Sequence, residues 1–395
     1  MDIGQKLEAL GESARYDLCN SCGLRATRKQ DDLGKWIYPA ALPDGGRVRL
    51  LKVLQTNACE KNCYYCATRA GRDVPRTSFG AEELARGFDQ MHRAGLVDGL
   101  FLSSAVCGSA ERSMDRMIAC VELLRLRYSF NGYIHLKLLP GVSEAHVERA
   151  VQLAHRVSVN LEAPSAERLA RIAPHKDFYD ELTRPMRIAH RLIAGSAQAR
   201  RPDGARHGAP GQGLAPAGQT TQFVVGAAGE SDHEILSTTD RLYRELDLAR
   251  AYFSAFQPVD GTPLDGLPAA PAWREHRLYQ ADWLLRFYGF TFGELVFDPA
   301  GNLPRQADPK RLYAQAHPEH FPVEINRASR GELLRVPGLG LKSVARILRW
   351  RREGMLTDLS DLAKTGADAR RAAPFILLAG LRPPHQLPLW EGLPD

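Results

Sequence analysis

Six short apolar runs recur along the first two thirds of the chain, each followed by a stretch able to form a helix. They are Val48 to Gln55, Leu100 to Ser103, Tyr133 to Leu138, Val157 to Leu161, Thr221 to Gly226 and Ala251 to Phe256. Strands alternating with helical segments make parallel βαβ units, and six of them predict an α/β chain folded as an open, partial (β/α)6 barrel of the TIM type. In such barrels the chemistry sits at the C-terminal ends of the strands. Alternation within two strands adds detail. If Ile134, Leu136 and Leu138 face the helices, Tyr133, His135 and Lys137 turn inward, and the same period turns Ser158, Asn160 and Glu162 inward. Unpaired buried polar groups cost about 1 to 3 kcal/mol each, so a polar ligand in the lumen is expected.

The loop after the first strand reads Thr-Asn-Ala-Cys59-Glu-Lys-Asn-Cys63-Tyr-Tyr65-Cys66. A four-iron cluster normally takes four thiolates, so a CxxxCxxC triplet with no fourth cysteine nearby leaves one iron open to another ligand. Structural zinc is the alternative. It needs four ligands, and the CxxC of Cys19 and Cys22 could supply the missing one. Seven cysteines is an odd count, and thiolates reserved for a metal suit a reducing compartment better than a disulfide framework. The N-terminal segment has alternating charges without an apolar core, and no apolar run approaches the roughly 20 residues that span a bilayer, so a cytoplasmic location without membrane partners is expected.

Charge is concentrated near the C-terminus. From Arg327 to Arg352 eight basic residues stand against one acid, Glu332, a local excess of +7 in a chain of net charge +6. Such a patch is the footprint expected for a polyanion. Ser329-Arg-Gly-Glu332 has capping-box spacing and starts a short helix, Val336-Pro-Gly338-Leu-Gly340 ends it, and Leu341, Val344, Ile347 and Leu348 mark a second helix. Two glycines in a tight hairpin at a helix N-terminus make a ready anion site. A degenerate second copy runs from Asp358 to Leu378, keeping Leu362, Gly366 and Ala372.

The cysteine triplet with its preceding aromatic resembles the signature of the radical S-adenosylmethionine (SAM) superfamily. Arg335 to Ala345 resembles the helix-hairpin-helix element that holds a DNA backbone phosphate. Other stretches resemble a subgroup described as DNA modification or repair radical SAM proteins: Ala14-Arg-Tyr-Asp17, Asp73-Val-Pro-Arg76, Asn131 to Lys137, Ser158-Val-Asn160 and Thr221 to Asp232 among them. The resemblance implies a [4Fe-4S] cluster on Cys59, Cys63 and Cys66, with SAM on the open iron and cleaved reductively. It implies cofactor contacts from Tyr65 beside the adenine, from Asn160 and Glu162, and from Gly226 at the end of the fifth strand, with Lys137 counted among them. Ser103 and Ser104 stand where the superfamily often has Gly-Gly-Glu for the SAM amino group. Cys107 is a candidate hydrogen donor. Gly338, Gly340, Lys342, Ser343 and Arg346 would hold DNA.

The expected organisation is an N-terminal extension over 1–47, a core over 48–265 with a flexible insertion near 196–218, a connecting segment over 266–322, a small all-α helix-hairpin-helix module over 323–383 and a tail over 384–395. The expected function is radical SAM chemistry in DNA modification or repair, with non-sequence-specific binding to phosphates, an electron donor and a DNA glycosylase-like protein as expected partners. Radical modification of tRNA or a small molecule is one alternative. The other is a non-enzymatic iron-sulfur protein that binds DNA or senses redox state, for which four protein ligands would be expected.

Overall fold

The computed structural model describes residues 1–14, 37–41, 47–198 and 213–384. Cys19, Cys22, the Arg15 to Asp17 stretch, most of the expected insertion and the tail from 385 onward lie outside the described residues. The chain divides into two compact units, Met1–Glu230 with Arg241–Ala272, and Ser231–Asp240 with Trp273–Asp395.

The first unit is built on one seven-stranded sheet in chain order: β1 (Ile37–Ala41), β2 (Arg47–Leu54), β3 (Gly99–Ser103), β4 (Tyr133–Lys137), β5 (Arg156–Ser158), β6 (Gln219–Val225) and β7 (Arg250–Ala255). β2 to β7 are parallel, and β1 adds antiparallel to β2. Parallel strands laid down in sequence, with crossovers of one hand, put every helix on the same face, so the sheet curls around its other face as a partial barrel. After α1 (Ile3–Ser13), the helices that follow the strands are α2 (Ala81–Arg93), α3 (Ala110–Glu122), α4 (Glu144–Leu153), α5 (Ala166–Ile172) and α6 (Arg184–Gln198), while β6 leads into α7 (Asp232–Leu246), whose residues through Asp240 belong to the second unit. α2 turns Leu84, Phe88 and Met91 inward at helical spacing, and Ser109 and Ser165 cap α3 and α5 through their hydroxyls. Leu51, Val53, Leu100, Leu102, Ile134 and Leu136 are fully buried on the helix-facing side.

β1 was not legible as a strand, and β5 stops three residues short of the expected Leu161. The reason is a bend. Val159 still donates to Thr220, but Glu162 takes a positive φ of 65° and rejoins β6 through Gln222 and Val224. A non-glycine residue in this region is strained and needs surrounding structure to hold it.

The second unit is mainly helical, with α8 (Ala272–Trp283), α9 (Pro309–Ala316), α10 (Arg330–Arg335), α11 (Leu341–Trp350), α12 (Leu359–Lys364) and α13 (Ala369–Ala372). Ser329 caps α10 in a reciprocal capping box with Glu332, as the spacing predicts. Leu333, Leu334, Val344, Ile347, Leu362, Ala372 and Ile376 share one core, with Leu341 and Leu348 at its margin. This region is not purely α. The pair β8 (Val323–Glu324) and β9 (Ile376–Leu377) forms a short parallel ladder that ties its two ends together.

Candidate metal and cofactor centre

The cysteine loop leaves β2 at the C-terminal end of the sheet and has almost no regular structure of its own, so side chains must hold it. Arg76 does most of this. Its guanidinium donates to the carbonyls of Asn57, Thr68, Arg69 and Arg72 at 2.6 to 2.9 Å. The Asn57 side chain in turn binds the Pro75 carbonyl and the Thr77 amide. Backbone bonds from Glu60 to Val106 and from Tyr64 to Ile172 fix the loop to the ends of β3 and α5.

Held in this way, Cys59, Cys63 and Cys66 line one cavity of about 460 Å³. Tyr65, Ser103, Ser104, Lys137, Asn160 and Glu162 line the same cavity, which brings together all but one of the candidate cofactor contacts. Gly226 is not among the lining residues. It has a φ of 94°, and its amide is taken by the Glu230 carboxylate. Cys107 also lies outside the lining, its amide held by the Ser113 hydroxyl. Ala105 and Val106 line the cavity from the β3 loop, and Gln222, Val224, Ser254 and Phe256 line it from β6 and β7.

Lys176 carried no sequence signal, yet it reaches this centre from the loop after α5. Its ammonium lies 3.3 Å from Glu162 Oε1, with side chains 9% and 8% exposed. Burial lowers the Lys176 pKa, but the negative charge of Cys63 when it is a thiolate and that of Glu162 outweigh it and hold the ammonium well above its ordinary value. Burial pushes the Cys63 thiol up, and together with Cys63 pushes Cys66 up to about 11. Burial and Glu162 raise the Tyr65 phenol, whose hydroxyl meets that carboxylate. Burial thus favours the protonated form of Cys63 and Cys66, and loading a metal there displaces protons.

The sulfurs are close enough for Cys63 and Cys59 to contribute to the electrostatics of Cys66. Three thiols, and no fourth cysteine among the described lining residues, match a four-iron cluster with one open iron.

Deeper in the lumen the polarity has another explanation than the one the strand pattern predicts. His135 Nε2 pairs with Ser158 Oγ at 2.9 Å, and the Lys52 ammonium lies over the Phe101 ring at 4.8 Å. Burial, with Arg156, Lys52 and Lys137 nearby, holds His135 well below its ordinary pKa, so it pairs as neutral imidazole. Only the upper ring, with Lys137, Asn160 and Glu162, faces the cavity.

Residues 53–196 match the family model described as the Radical SAM superfamily. No curated protein matches the chain. Among solved structures, methylornithine synthase (PylB) is 14% identical, with 62% of this chain and 64% of that chain covered at a TM-score of 0.46. The FeFe-hydrogenase maturase HydG from Carboxydothermus hydrogenoformans is 14% identical, covering 60% and 51% at 0.43. The radical SAM methyltransferase TsrM from Kitasatospora setae is 14% identical, covering 55% and 38% at 0.39. The chain thus spans less than two thirds of the length of these structures. Over residues 53–196 the chain is thus similar to the Radical SAM superfamily, whose members are enzymes that use a [4Fe-4S] cluster and S-adenosylmethionine.

Proposed function

We propose that the chain is a radical SAM enzyme that acts on DNA, in modification or repair, and that its C-terminal helix pair docks the DNA backbone. When bound, the cluster and SAM supply a 5′-deoxyadenosyl radical able to abstract hydrogen. The chain's own residues prepare the site. Cys59, Cys63 and Cys66 would hold three irons, and Lys176 keeps a fixed positive charge beside them, anchored by Glu162. Tyr65, Ser103, Ser104 and Asn160 would orient SAM along the strand ends.

The observation that carries the DNA reading is the set of exposed cations on and before α11. Lys342, Arg346 and Arg349 are exposed on it, and Arg327, Arg330 and Arg352 are exposed nearby. Not all of the basic run is available. Arg335 is bound to Glu294 at 2.6 Å, Arg351 donates to the Ala328 carbonyl, and one Arg346 nitrogen donates to the Thr365 carbonyl. Ser343 is buried, and its hydroxyl both accepts from the Gly340 amide and donates to the Gly340 carbonyl, so it caps the turn. Contact with phosphate then falls to Lys342, Arg349 and the α11 N-terminus, and such contacts position without reading sequence.

Binding of the full chain to a short duplex, followed by fluorescence anisotropy across a salt series, tests this. Lys342→Glu with Arg349→Glu should weaken binding at least tenfold at low salt and reduce the salt slope by about 2. Unchanged affinity and slope, or tighter binding to tRNA than to duplex DNA, would overturn the DNA reading.

A further inference from the structure

The end of α9, in the second unit, carries three metal-capable side chains on one turn. His317, Glu319 and His320 follow one another through the 3-10 turn Pro318–His320. Their donor atoms all lie within 4.8 Å of one another. His317 Nδ1 is 2.9 Å from Glu319 Oε1, and His320 Nε2 is 3.9 Å from the same oxygen. In a 3-10 turn, residues three apart fall on the same side, which brings the two histidines together across Glu319. Their rings lie nearly parallel, 5.4 Å apart with 12° between planes.

A second partner fixes one of the rings. Tyr313 Oη is 2.8 Å from His320 Nδ1, which leaves Nε2 on the side of Glu319. A histidine that ligates a metal through one nitrogen characteristically donates a hydrogen bond from the other. Tyr313 is itself immobilised. It is 2% exposed, lies under the His317 ring at 4.5 Å and packs edge-on against Phe290. All three donors are reached by solvent, so water can complete the coordination.

We propose that His317, Glu319 and His320 bind one divalent transition-metal ion, through His317 Nδ1, a Glu319 carboxylate oxygen and His320 Nε2, with water in the remaining position. Two imidazoles and one carboxylate are a donor set for zinc. The bound ion links the last turn of α9 to the segment entering β8.

The test uses the full chain with its cluster reconstituted, so that the thiols are already occupied, and Zn²⁺ alone as the probe. After removal of loosely held metal, zinc and iron are counted in wild type and in His317→Ala with His320→Ala. The expected result is one more zinc per wild-type chain at equal iron, and a zinc-dependent rise in thermal midpoint that the double variant lacks. Equal zinc in both proteins overturns the site. Should the double variant fail to fold, Glu319→Gln decides. It must hold zinc at least tenfold more weakly than wild type, and equal affinity overturns the proposal. Because iron is counted separately, failure here is distinct from failure of the radical SAM reading.

Discussion

The Lys176 ammonium lies 3.3 Å from the Glu162 carboxylate, inside the cavity that the three cysteines line. A buried ion pair is weak evidence of net stability, but removing one partner strands the other charge and costs about 3 to 5 kcal/mol. Lys176→Met should therefore lower stability by about that amount, and adding Glu162→Gln should recover a large part of it. Chemical unfolding of the two variants, with iron per chain measured alongside, checks this. A double variant no more stable than Lys176→Met would mean that the pair acts otherwise.

The two hairpin glycines should differ sharply. Gly338 has a φ of 86°, and a Cβ there would sit 2.5 Å from the Asp368 carbonyl oxygen. It is the point where the first hairpin meets the second, whose Asp368 amide donates to the Gly338 carbonyl. Gly340 is extended, with no neighbour nearer than 3.6 Å to such a Cβ. Gly338→Ala should cost at least about 2 kcal/mol in thermal unfolding, while Gly340→Ser, a favoured N-cap, should change stability by less than about 0.5 kcal/mol.

Lys310 predicts a pH dependence for the second unit. Burial pushes its ammonium down to about 7, although Asp308, the Leu339 carbonyl and the Tyr288 ring face it. A lysine with a lowered folded pKa releases its proton earlier when folded than when unfolded. The unfolded chain thus binds more protons between about 7 and the ordinary lysine value near 10.4, and stability rises with pH across that window. The difference between wild type and Lys310→Met, measured by denaturant unfolding at pH 7, 8 and 9, should grow in favour of wild type by up to about 1.4 kcal/mol per pH unit. A flat difference would show that Lys310 stays charged.

The sheet was legible because parallel strands buried on one face read as apolar runs, whereas Asn160 and Glu162 line the cavity from a bend beyond the end of β5 that the strand period does not describe. β1 was not, because the Ile37 to Ala41 run is short and contains Pro39, which reads as a loop. Lys176 could not be found from sequence. It sits in a loop without periodicity and reaches the cysteines only through the fold. The basic run was visible as charge alone, and only the fold separates Arg335 and Arg351, tied to Glu294 and Ala328, from the exposed Lys342 and Arg349. The hairpin glycines were read as a phosphate cradle, yet Gly338 is required by packing between the two hairpins and the Gly340 amide is taken by Ser343.

The most direct measurement is anaerobic: reconstitute the cluster, add SAM and a reductant, and quantify 5′-deoxyadenosine with and without duplex DNA, for wild type and Cys63→Ala. The account predicts product from wild type that rises when DNA is present, and none above background from Cys63→Ala. Equal background in all four samples would contradict it, and cysteine-dependent product that ignores DNA would leave the radical chemistry standing and remove DNA as its substrate.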